Sequence, residues 1–89
     1  MNKNLSFEGS AWNEYLYWQT RDRKTLKRIN ELLKDITRSP FSGIGKPEPL
    51  KDGKQSYWSR RIDEANRIVY KVTDKQIVVV QCKGHYEDR

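Results

Sequence analysis

Hydrophobic positions along this 89-residue chain change their period near its middle. Between residues 23 and 38, Leu26, Ile29, Leu32, Leu33 and Ile36 recur every three or four places, while Arg23, Lys27, Lys34 and Arg38 take the opposite side. This is the stripe of a helix with one packed face and one wet face. Asp22 stands where an N-cap acceptor belongs, and the helix should end before Ser39-Pro40, because proline disfavours helical geometry in the residue preceding it. Weaker helical spacing of Trp12, Tyr15, Leu16 and Trp18 predicts an earlier helix over residues 11–20, with Trp12, Tyr15 and Trp18 as core or interface side chains. Residues 4–7 read as a short strand, and residues 8–10 as a turn or helix entry.

Beyond residue 56 the pattern alternates. Residues 57–62, 67–72 and 76–82 read as three strands, and the links 63–66 and 73–75 are short enough for hairpins, which makes the strands antiparallel neighbours. Within the middle strand Ile68, Tyr70 and Val72 face one way, toward the helices, and Arg67, Val69 and Lys71 face the other. Arg60 or Arg61 is expected beside Arg67 on that open face. The predicted fold is α+β, one domain over residues 1–89, with two N-terminal helices packed on an antiparallel sheet of three to five strands. Between the helical and alternating halves lies a loop over residues 40–55 that holds all three prolines and three of the five glycines. Loops of that length in small domains usually carry function.

Composition narrows the choice of partner. Eighteen Lys and Arg against 12 Asp and Glu leave a net charge of +6, which favours an anionic partner: nucleic acid, an acidic protein or, less readily, a membrane surface. No apolar run approaches the roughly 20 residues of a membrane span and no signal-peptide pattern is present, so the expected location is the cytoplasm. The single Cys82 reads as a small core side chain. One His and one Cys make no zinc or iron site, and no cofactor is expected.

Three positions suggest chemistry. His85, the only histidine, follows an apolar strand and precedes Tyr86; imidazole, with an unperturbed pKa of about 6.5, both holds and releases a proton near neutrality. Glu48 sits between Pro47 and Pro49, which stiffen its backbone. Arg67 offers a two-pronged donor that matches phosphate oxygens. Metal-free RNA cleavage needs a base for the 2′-hydroxyl, a cation for the phosphate and an acid for the departing 5′-oxygen; Glu48, Arg67 and His85 or Tyr86 are candidates for each. Trp58, Tyr57 or Tyr86 are candidates to stack on unpaired bases. The plainer readings are a solvated Glu48, a strand-end His85, and arginines paired with Asp63 and Glu64. In that case the chain is a basic module that binds RNA or an acidic partner without chemistry.

Longer runs decide between these. WNEYLYWQ (12–19), KRINELLKD (27–35), GKPEPLK (45–51), YWSRRI (57–62) and GHY (84–86) closely resemble the Txe/YoeB family of RelE-like bacterial toxins, and the resemblance extends from about Leu5 to Tyr86. It implies the toxin half of a type II toxin-antitoxin pair, a ribosome-dependent mRNA endoribonuclease silenced by a YefM-like antitoxin. Position by position, it implies Glu48 as general base, Arg67 as the phosphate-stabilising arginine and His85 with Tyr86 as the general-acid pair, with His85 the better donor at neutral pH. Lys46, Lys51, Arg60, Arg61 and Trp58 fall in the matching runs as RNA- or ribosome-contacting positions. Relatives form dimers, and the aromatic first helix offers apolar surface for one. Two carboxylates in the tail, Glu87 and Asp88, follow the acid pair and are expected to influence its protonation.

Overall fold

A computed structural model describes residues 2–50 and 56–84. Strand β1 (Asn4–Phe7) leads into helix α1 (Gly9–Arg21) and helix α2 (Arg23–Arg38), followed by β2 (Glu48–Pro49), β3 (Tyr57–Arg61), β4 (Arg67–Val72) and β5 (Gln76–Gln81). The five strands form one sheet in the order β1-β5-β4-β3-β2. The expected hairpins are present, since β3–β4 and β4–β5 pair antiparallel. The sheet is nevertheless mixed: β1 runs parallel to β5, with Leu5 opposite Ile77 and Phe7 opposite Val79. The two helices intervene between β1 and the rest of the sheet, so β1 enters beside β5 from outside any hairpin, and no local turn signal announces its direction.

Helix α2 begins as its sequence requires. Asp22 accepts the Thr25 amide at 3.1 Å and the Thr25 hydroxyl at 2.8 Å. Its apolar stripe is buried: Ile29, Leu32 and Ile36 are fully covered, and they meet Ile62, Ile68, Tyr70, Ile77, Val79 and Cys82 from the sheet. Helix α1 contributes Ala11 and Trp18, whose indole N–H donates to the Cys82 carbonyl at 2.8 Å. Its other aromatics behave differently. Trp12 is 47 % exposed and stacks on Tyr15 at 5.8 Å, with Leu16 and Tyr17 also open to solvent. Cys82 is buried, as expected of a small core side chain.

The loop after α2 is more organised than its composition suggests. Glu48–Pro49 within it forms β2, a two-residue edge strand pairing Glu48 with Ser59 and Pro49 with Trp58. An edge is where a sheet tolerates proline, whose missing N–H then faces outward.

Candidate active site on the open face of the sheet

The register decides which side chains share the face away from the helices. Glu48 lies opposite Ser59, Ser59 opposite Val69, and Arg61 opposite Arg67, so all of these share one side. There the Glu48 carboxylate approaches the Arg67 guanidinium at 3.3 Å, with side-chain exposures of 53 % and 22 %. This is a loose, wet ion pair, worth no more than about 1 kcal/mol. The Ser59 hydroxyl is buried and has no hydrogen bond among the described residues.

The end of the last strand comes to the same place. The Arg67 amide donates to the Gly84 carbonyl at 2.9 Å, so the residue immediately before His85 is hydrogen-bonded to the backbone of Arg67. His85, Tyr86 and Lys51 lie outside the described residues.

Of the two arginines expected as candidates to stand beside Arg67, Arg61 does so, and Arg60 is on the opposite face. It pairs with Ile68, and its side chain is fully buried under the loop that follows α2. All of its donors are engaged. Nη1 donates to Asp35 at 2.6 Å and to the Ile44 carbonyl at 3.0 Å, Nη2 to the carbonyls of Ser39 and Ser42 at 2.6 and 2.8 Å, and Nε to the Tyr70 hydroxyl at 3.1 Å. The Tyr70 hydroxyl in turn donates to the Pro40 carbonyl at 2.7 Å. Burial raises the Tyr70 pKa, with Arg60 opposing, so this hydroxyl keeps its proton. The hydrogen bond from Arg60, against the cost of burial, holds the Asp35 carboxyl below the ordinary aspartate value. A group with no donor to spare cannot bind RNA; Arg60 shapes the loop instead.

Trp58 is on the same face as Arg60. It lies opposite Tyr70 on the helix-facing side, packs against the core and has Phe41 at 5.0 Å from its ring. The alternation contained this signal: Trp58 and Arg60 share parity with Ile62, a core residue.

The Arg60 network explains how Glu48 is delivered. Three carbonyls of the loop converge on one guanidinium, and the Gly45 carbonyl then accepts the Arg61 amide at 2.7 Å. Gly45 and Lys46 both take positive φ, 81° and 53°, and turn the chain into Pro47-Glu48. For Lys46 that conformation costs about 1–2 kcal/mol. At Gly45 a Cβ would come within 2.7 Å of Leu32 Cδ2, and at Gly43 it would strike the Asp35 carboxylate. Lys46 is exposed. Asp35 escaped the sequence reading because its partner is 25 positions away and only the loop's path joins them.

Residues 7–86 match the family model of the YoeB-like toxin of bacterial type II toxin-antitoxin systems. Toxin YoeB of Streptomyces coelicolor is 54 % identical over 82 residues, covering 92 % of this chain and 98 % of that protein. Among solved structures, the YoeB dimer from Staphylococcus aureus superimposes with a TM-score of 0.89 at 46 % identity, covering 97 % of this chain and all of that one. The heterotetrameric YoeB-YefM complex from the same organism matches with a TM-score of 0.84 at 46 % identity and the same coverage. Two helices on a five-stranded sheet, with a carboxylate and an arginine facing each other on its open side, thus place the molecule among the toxins of type II toxin-antitoxin systems. Within that class, the chain belongs to the YoeB-like family.

Proposed function

We propose that this toxin is an endoribonuclease that cuts messenger RNA on the ribosome, through one domain spanning residues 1–89. The observation that carries the reading is the pairing of Glu48 and Arg67 on the open face, at the strand end where Gly84 leads into His85. An incoming phosphate competes well for Arg67, because the existing pair is long and solvated. Displacement of the pair frees the carboxylate to take the proton of the 2′-hydroxyl, while the guanidinium stabilises charge on the phosphate. His85, assisted by Tyr86, then protonates the departing 5′-oxygen, leaving a 2′,3′-cyclic phosphate. None of these steps calls for a metal or cofactor. Lys46, Lys51 and Arg61 supply backbone contacts, and the net charge of +6 draws the protein to RNA.

The same reading gives the toxin a YefM-like antitoxin, as in the complex from S. aureus, and self-association as in the YoeB dimer from that organism. Among the described residues no helix is long and apolar enough to cross a membrane, and the proposed site of action is the cytoplasm, where the ribosomes are. Primer extension on mRNA treated with the purified toxin, with and without ribosomes and in the presence of a chelator, tests the reading. Expected are discrete cuts that need ribosomes and survive chelation. Ribosome binding without cutting, identical for Glu48→Ala, would instead mark a binding module.

A further inference from the structure

The turn between β3 and β4 does more than reverse the chain. Asp63 Oδ1 accepts the amides of Ala65 and Asn66 at 2.9 and 2.8 Å, so the aspartate organises the turn. The same carboxylate accepts the Asn66 side-chain N–H₂ at 3.1 and 3.2 Å. That contact fixes which end of the amide points where. The Asn66 Oδ1 is left aimed away from the turn, and it accepts the Gly84 amide at 2.8 Å. The Gly84 carbonyl meanwhile accepts from Arg67. Both backbone polar groups of Gly84 are therefore held, one by the side chain of residue 66 and the other by the main chain of residue 67. Gly84 itself sits at φ 78°, a conformation that glycine adopts freely.

We infer that Asn66 is a positioning residue: oriented by Asp63, its amide oxygen anchors Gly84 and so fixes the point from which His85 and Tyr86 depart, relative to Arg67. The inference rests on the assignment of His85 and Tyr86 to the nuclease site. Asparagine suits the task because it carries a donor for Asp63 and an acceptor for Gly84 on one short arm. A second aspartate in its place would set two carboxylates against each other. A loosened anchor leaves RNA binding intact and lets the acid wander, and misplacement of about 1 Å is enough to cost on the order of a hundredfold in rate.

The test compares wild type, Asn66→Ala, Asn66→Ser and the exchanged pair D63N/N66D. In the exchanged pair the side-chain oxygen at position 63 still accepts the turn amides, its new N–H₂ donates to the carboxylate at position 66, and the other oxygen of that carboxylate accepts from Gly84. Two readouts are needed: single-turnover cleavage of ribosome-bound mRNA as a function of toxin concentration, and hydrogen exchange of the Gly84 amide by NMR. Expected for Asn66→Ala and Asn66→Ser is a maximal rate about 10–100-fold lower, half-saturation within about twofold, and Gly84 exchange at least about tenfold faster, with the exchanged pair restoring both. Unchanged Gly84 exchange in a folded Asn66 variant overturns the anchor, as does a rate loss that the exchanged pair fails to restore. If the wild type cuts no RNA under any condition, the nuclease reading fails, and the exchange data still decide whether the anchor exists.

Discussion

Arg60 and Arg67 sit on adjacent strands of one sheet, and their surroundings could hardly differ more. Arg60 is fully covered and bonded to five oxygens, from Asp35, Tyr70 and three loop carbonyls. Arg67 is partly open, and among the described residues its guanidinium meets a single carboxylate, at 3.3 Å. The first guanidinium has spent its valence on the fold. The second is held in place yet uncommitted, which is what a phosphate-binding group requires. Identical chemistry is thus buried as scaffold or left accessible according to how many acceptors the fold supplies.

The contrast can be broken most severely at Asp35. Asp35→Ala strands a buried guanidinium, and a loss of about 3–5 kcal/mol in unfolding free energy is expected from urea titration. Arg60→Lys should also destabilise, because a single ammonium cannot reach the same fork of acceptors. Arg67→Ala should do the reverse. Its cleavage rate is expected to fall about 10²–10³-fold on ribosome-bound mRNA, with the urea midpoint nearly unmoved; a large stability loss instead would show that Arg67 is scaffold too.

Acid supplies a smaller and selective effect. Asp35 has a folded pKa below the unfolded value of about 3.8, so its contribution to stability is full above that value and is lost as the pH falls through the folded pKa. The thermal midpoint should therefore drop on acidification below about pH 4, and Asp35→Asn should remove that part of the slope. The smallest effect is expected at Arg61, exposed and opposite Arg67. Arg61→Ala should weaken RNA binding severalfold and lower the salt dependence by about one, with the maximal rate kept.

Much of this was legible in the chain. The α2 stripe, its Asp22 cap and its stop before Ser39-Pro40 are written within the segment itself, as spacing and capping signals. The hairpins 63–66 and 73–75 followed from short links. What escaped depends on contacts distant in sequence. The parallel pairing of β1 with β5 has no turn to announce it, and β2 exists because Arg60 gathers the loop beneath it. The placement of Glu48 against Arg67 required the register of three strands, while the open face required only the alternation of one. The choice between Arg60 and Arg61 beside Arg67 stayed open because both are cations, although the parity of Arg60 with Ile62 pointed inward.

The parallel pairing of β1 with β5 also bears on how the molecule is made. β5 lies between β1 and β4, and Cys82 just beyond it receives the indole of Trp18. A nascent chain arrested before residue 76 would hold β3 and β4 but lack the strand that joins β1 to them, leaving the first strand with no neighbour. Folding must therefore wait for the late part of the chain, as expected where contacts are remote in sequence. The strand that closes the sheet is thereby also the one that carries the chain to Gly84, so the fold and the Gly84 anchor are completed together.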